Sequence, residues 1–182
     1  MEEWIMVKVD GKIVSVSDGY DFLVGFLQNL SEGDTPSPKD IHVRSLTSEQ
    51  LLALSDSVKW EDFGLSGTPF RLSVWKAVFS ITHGPDGLIP PRLVSYSELA
   101  AAIGKGEKAC RAVASAVGDN PIAVLIPCHL VIPLDSNRRV DEKVSNIFQW
   151  KGLYMMDKYI DYGDYRYGRD RKRELIRLHM GR

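Results

Sequence analysis

Residues 126–133 read IPCHLVIP and contain the side chains best suited to chemistry in this chain. A free thiol has a pKa of about 8.5 and attacks only as the thiolate, so Cys128 needs a base or a positive neighbour before it can act. His129 supplies an imidazole next door. Successive side chains on an extended strand point to opposite faces, however, so the pair can cooperate only on a turn or through a bridging water. Pro127 favours such a turn. The competing reading is that Cys128 is a small apolar filler, the commonest fate of a free cysteine.

The other cysteine, Cys110, lies too far along the chain for C-x-x-C metal spacing, and two cysteines make no disulfide framework. Both thiols therefore read as reduced and available, and no metal is expected. The start, MEEWIMVKVD, is acidic and polar where a secretory leader would be basic and then apolar. No apolar run approaches the ~20 residues needed to cross a bilayer. The expected setting is the cytoplasm, or the nucleus in a eukaryotic host, with no membrane partner. Net charge is only −1, but it is segregated: residues 1–66 carry 5 Lys and Arg against 12 Asp and Glu, and 67–182 carry 18 against 12. A basic C-terminal part suits a polyanionic partner, and mutual pairing of the two parts explains the charge equally well.

Several elements must position Cys128. Near the N-terminus, WIMVKVDGKIVSV places two β-rich runs around Asp10-Gly11, a strong hairpin signal. A short helix is expected over 21–30, a loop over 31–39, and a helix after the capping box of Thr47 with Gln50. A boundary falls at 64–67. Thr68-Pro69 then launches a helix through about Ile81, with Phe70, Val74, Ala77, Val78 and Ile81 as its core face. Ser95 with Glu98 opens another helix over 96–103, and GKG turns the chain into a helix over 107–117. Two short helices joined by a glycine turn form a helix-turn-helix candidate. The second is unusually slim, with Ala109, Ala112, Ala114, Ser115 and Ala116 beside Lys108 and Arg111. Such a helix can lie deep in a DNA groove, or its small residues can simply allow close packing. GDNP then makes a turn, and IAVLIP reads as a short buried strand leading to Cys128. A last helix, RDRKRELIRLHM, has Leu175, Ile176 and Leu178 as its apolar part and a basic face that reads as solvated.

The segments GTPFRLSVW, SYSELA, KACRAVASAVGDNPIAVLIPCH and PCHLV occur in the order and approximate spacing of the O6-alkylguanine-DNA alkyltransferase family. The resemblance covers residues 64–133 well, 162–180 loosely and 1–60 hardly at all. It implies an α/β (α+β) fold: a small N-terminal α/β domain with a β-hairpin over 1–66, then a mainly helical domain over 67–182 with the helix-turn-helix, the active cysteine and an insertion near 134–162. It implies direct reversal of DNA alkylation in a single turnover. Cys128 would be the alkyl acceptor, His129 its water-linked base, and Asn120 the brace of the active-site turn. Arg111 would fill the space of a flipped nucleotide and Tyr96 would press on the neighbouring phosphate. Lys108, Ala109 and Ser115 would run along the minor groove of double-stranded DNA, and Arg71 would meet its backbone. Pro127, Tyr165, Arg166 and Tyr167 would border the substrate pocket. The protein would act as a monomer without a cofactor, and its cysteines are too few for the four-thiolate zinc site of some larger relatives.

The chain departs from the family pattern in the insertion after Pro133, in a longer loop over Gly84 to Val94, and in three further places. Leu130 stands where an arginine usually follows Cys-His. The last helix offers His179 or Met180 where a glutamate usually orients the histidine, and Glu174 could substitute only if the helix were displaced. The pocket loop, Tyr165-Arg166-Tyr167-Gly168, is bulkier and more basic than usual. Two rival functions remain at this stage. A lesion-binding protein without chemistry would lack the acceptor cysteine, which is present here. A cysteine hydrolase would need a separately placed histidine and an oxyanion hole, and His42, His83 and His179 come with no motif to supply them.

Overall fold

A computed structural model describes residues 4–19, 40–84, 87–88, 91–133 and 161–181. The segments expected at 21–30 and 31–39, and nearly all of the insertion near 134–162, lie outside the described residues. Strands β1 (Trp4–Val9) and β2 (Lys12–Asp18) form the expected antiparallel hairpin. Asp10 and Gly11 have φ of 47° and 80°, the positive pair that a two-residue turn needs to follow the strand twist. A third strand, β3 (Ile41–Leu46), lies antiparallel along the other side of β1. Its first five residues are exposed. An edge strand with no buried face leaves no alternating pattern in the sequence, so nothing pointed to it.

Helix α1 (Ser48–Ser55) begins at the Thr47–Gln50 capping box, with both reciprocal hydrogen bonds present. Helix α2 (Pro69–Phe79) starts at Thr68, whose hydroxyl accepts from the Arg71 N–H, and it stops two residues before the expected Ile81. It buries Val74, Trp75, Val78 and Phe79, while Phe70 and Ala77 pack at the core margin. A two-residue ribbon follows, β4 (His83–Gly84) with β5 (Gly87–Leu88). Then come β6 (Val94–Ser95) and α3 (Tyr96–Ala102), capped by Ser95 and Glu98 as expected. Gly104 takes φ 69° in the turn. The next helix opens with a tight 3-10 turn, Glu107–Ala109, before becoming α4 (Cys110–Gly118). Strand β7 (Val131–Ile132) and helix α5 (Arg169–Met180) complete the described elements.

The segment IAVLIP is not the expected strand. It coils: the Leu125 N–H donates to the Ala123 carbonyl, the Ile126 N–H to the Ile122 carbonyl, and Val124 sits at φ 67°. All of Ile122–Ile126 is buried. A short apolar run reads the same whether extended or coiled, and only its backbone partners decide. Here they come from β2, where Val16 donates to the Pro121 carbonyl at 2.9 Å and accepts from the Ala123 N–H at 3.0 Å. The main buried cluster accordingly takes residues from both sides of 64–67, from Trp4 and Val16 to Val113, Leu130 and Ile176.

Candidate active site

Cys128, His129 and Leu130 form a single 3-10 turn. The Leu130 N–H donates to the Pro127 carbonyl at 3.0 Å, and the Cys128 N–H to the Ile126 carbonyl at 2.7 Å. The thiol and the imidazole thus sit on a turn, the geometry their cooperation requires. Asn120 braces the preceding coil with one buried amide. Its Nδ2 donates to the carbonyls of Ile126 at 3.0 Å and Ile122 at 3.3 Å, and its Oδ1 accepts from the Ile122 N–H at 3.0 Å. Downstream, β7 pairs parallel with β6 through Val94–Val131 and Ser95–Ile132. That short ladder brings the first residue of α3, Tyr96, to the same cavity as Cys128.

The cavity has a volume of about 760 Å³ and is lined by Tyr96, Ser115, Asn120, Cys128, Tyr165 and Lys172 among others. Cys128 is 6% exposed at its floor, and its Sγ lies 4.0 Å from the Tyr165 hydroxyl. Burial pushes the thiol pKa up. Hydrogen bonding from Asn120 and Tyr165 and the positive charges of Lys172 and Arg166 pull it back. Burial also holds the His129 pKa well below the usual imidazole range, reinforced by His179 and Lys172. At neutral pH the pair is therefore a thiol and a neutral imidazole, an acid and a base in the protonation states that transfer starts from.

Lys172 of this cavity was not anticipated. The basic face of the last helix, read from sequence as solvated, is in part buried: Arg171 is 8%, Lys172 1% and His179 4% exposed. Nζ of Lys172 donates to the Val131 carbonyl at 2.7 Å, and desolvation lowers its pKa to about 8. Arg171 lies over the Trp4 ring at 4.9 Å and pairs with Asp18 at 3.3 Å, which ties α5 to the first sheet. Nδ1 of His179 lies 2.9 Å from Nε2 of His129. Of the residues that could stand in for a glutamate, His179 is thus the one in contact, whereas Glu174 is exposed and pairs with Arg171 at 3.0 Å. The spacing Lys172, Leu175, Ile176, His179 is i, i+3, i+4, i+7, one face of a helix, and could have revealed the buried set.

The rim is built differently. Trp75 of α2 donates from Nε1 to the Ala116 carbonyl at 2.7 Å, fixing α4 against α2. Val113, Ala116 and Val117 face inward, while Lys108, Arg111 and Ser115 are exposed and Ala109 is half-buried. Arg71 pairs with Asp119 at 2.6 Å, and Arg166 approaches the same carboxylate at 3.9 Å. Tyr165, Arg166 and Tyr167 all line the cavity. Tyr167 is wedged edge-on against Trp4, with ring centroids 5.1 Å apart. Pro127 does not line the cavity as expected, because it is buried in the turn whose closing carbonyl it supplies. Among the described residues, no group of three His, Cys, Asp or Glu side chains could hold a metal ion.

Residues 69–146 match the family described as 6-O-methylguanine DNA methyltransferase, DNA binding domain. The match spans less than half of the chain. The chain is 46% identical over 71 residues to a probable methylated-DNA–protein-cysteine methyltransferase of Acanthamoeba polyphaga mimivirus, covering 39% of this chain and 42% of that protein. A methylated-DNA–protein-cysteine methyltransferase of Saccharomyces cerevisiae is 33% identical over 114 residues, covering 63% of this chain and 54% of the relative. The chain therefore spans about half the length of these two curated relatives. The crystal structure of O6-methylguanine-DNA methyltransferase from the archaeon Pyrococcus kodakaraensis superposes with a TM-score of 0.57 at 18% identity, over 96% of this chain and 91% of that one. The α+β fold, with a sheet at the N-terminal end, is shared with this structure.

Proposed function

We propose that this protein repairs O6-alkylguanine in double-stranded DNA by moving the alkyl group irreversibly to Cys128, acting as a single copy and once only. The observation that carries this reading is a buried thiol on the same turn as a neutral imidazole, at the floor of a nucleobase-sized cavity with α4 on its rim. The names of these relatives, which speak of methylated DNA and a protein cysteine, support the same substrate and acceptor.

The O6 atom of guanine is inside the duplex, so the base must leave the stack, at a cost of a few kcal/mol that is smaller for a damaged pair. The slim exposed face of α4 suits the minor groove. Arg111 takes the space of the extruded nucleotide, Tyr96 presses on the adjoining phosphate, and Lys108, Ala109 and Ser115 follow the groove. Arg71 meets a phosphate after leaving Asp119. In the cavity, His129 takes the thiol proton through a bridging water. The thiolate then attacks the alkyl carbon in line. A C–S bond forms, the C–O6 bond breaks with its electron pair passing to guanine, and the guanine anion takes up a proton. Lys172 and Arg166 favour the thiolate by charge, and Asn120 and Tyr165 by hydrogen bonding. A thioether lies off the reversible thiol redox ladder, so the product does not turn over.

The test is incubation with a duplex containing O6-methylguanine, followed by peptide masses. One methyl group is expected on the peptide with Cys128, with the lesion converted to guanine. Binding to the lesion with Cys128 unmodified and the lesion intact would replace repair by recognition without chemistry.

A further inference from the structure

Two buried imidazoles meet, one of them on the turn that carries Cys128. His129 Nε2 and His179 Nδ1 are 2.9 Å apart, the rings are tilted by 32°, and the residues are 0% and 4% exposed. A neutral imidazole carries one N–H and one lone pair. Two neutral rings can therefore make this hydrogen bond in only two ways. Either His129 donates from Nε2 and keeps a bare Nδ1, or His179 donates from Nδ1 and His129 carries its proton on Nδ1. Only the first leaves His129 able to accept a proton, because Nε2 is occupied in both. Nδ1 of His129 has no hydrogen-bond partner among the described residues.

We infer that His179 is a positioning residue that holds His129 in the tautomer with a bare Nδ1, and that a proton on His179 reverses the bond and disables the base. An imidazolium has N–H groups on both nitrogens and nothing to accept with. Once His179 is protonated, its Nδ1–H must face His129, whose own proton is then forced onto Nδ1. A carboxylate in the same place has no such second state above its own low pKa. The chain thus carries a proton-sensitive switch inside its acid–base pair. Among the described residues, the titratable groups that act on His129 are Lys172 and His179 of α5. Glu49 of α1, the helix packed on α5, interacts with Arg171. The two rings titrate as one unit, so the acid limb belongs to the pair.

This inference rests on the alkyl-transfer reading for its effect on rate, but not for its effect on the rings. Transfer to Cys128 is timed from pH 5 to pH 9 for the parent protein, His179→Gln and His179→Leu. The parent rate should fall about tenfold per pH unit on its acid limb. His179→Gln supplies an amide oxygen to accept from His129 Nε2 and has no proton to gain. It should keep the plateau rate within a few-fold and move the acid limb to lower pH. His179→Leu cannot hold the tautomer and should lower the plateau roughly 10- to 100-fold. An acid limb unmoved in His179→Gln, or a plateau unmoved in His179→Leu, would overturn the inference. Nitrogen NMR of the labelled protein, which has only 4 histidines, reads the tautomer without any alkyl transfer. A bare Nδ1 on His129 near neutral pH is expected. A protonated Nδ1 there would sink the inference even if repair is confirmed, whereas a bare Nδ1 in a protein that transfers nothing would sink repair alone.

Discussion

The floor of the cavity and the helix on its rim differ in where their polar groups find partners. On the floor, Lys172 reaches a carbonyl 41 residues away and His129 a ring 50 residues away, all of them buried. On α4 and the 3-10 turn that opens it, Lys108, Arg111 and Ser115 are exposed, and what qualifies them is the slimness of the helix. The floor is therefore a tertiary construction whose groups perturb one another's protonation. The rim is a local one, readable from a run of small residues with an arginine among them. Substitutions should separate the two: floor changes alter reactivity towards any substrate, rim changes alter reactivity only where a duplex must be opened.

The largest effect is expected at Lys172. In Lys172→Met, transfer should slow about 100-fold on duplex and on free O6-benzylguanine alike, because the charge that favours the thiolate is lost. Stability at pH 7 should stay within about 1 kcal/mol, since the change removes a buried charge together with one hydrogen bond. The pH dependence gives a second check. The Lys172 pKa is lowered from 10.5 to about 8 in the folded protein. Between those values the unfolded chain binds more protons at this lysine than the folded one, so its contribution to stability rises with pH across this window. The buried thiol and phenols, with pKa values pushed up, act in the opposite sense in both proteins, so chemical denaturation at several pH values should show the lysine's contribution as a stability difference, parent minus variant, that rises with pH.

Next comes Arg111→Ala on the rim. Rates on an O6-methylguanine duplex should fall roughly 10- to 100-fold, matching the loss of a few kcal/mol of support for the extruded base. Rates on free O6-benzylguanine should not change. Equal losses on both substrates would make Arg111 part of the floor and dissolve the distinction.

The same distinction governs what the sequence made legible. The hairpin at Asp10-Gly11, the capping boxes of Thr47 and Ser95 and the start of α2 at Thr68 are all set by residues within a turn of each other, and each formed as read. Cys128, His129, Asn120 and α4 were found through a contiguous motif. The pieces that misled depend on distant partners. IAVLIP coils because β2 and Asn120 claim its backbone groups. Lys172 and His179 are buried because α5 packs its polar positions over the cysteine turn, where charge and imidazole have uses that a hydropathy pattern counts against them. β3 is the opposite case, a strand exposed along most of its length and so without any pattern to read.

Lys108→Ala should have the smallest effect and is the strictest test of the rim as a local device. Lys108 lies in the 3-10 turn that opens the helix and is exposed, so its removal leaves no buried group unsatisfied and should leave the unfolding midpoint unchanged. If its role is to neutralise a phosphate, affinity should fall only a few-fold and to the same extent for damaged and undamaged duplex. The slope of log affinity against log salt should become shallower by about 1. Transfer measured at saturating duplex should keep its parent rate, because the ammonium contributes to docking and not to extrusion or to chemistry. A change in the saturated rate would mean that Lys108 acts during base flipping, and the rim would then divide into Arg111 with Lys108 on one side and the groove-following residues on the other.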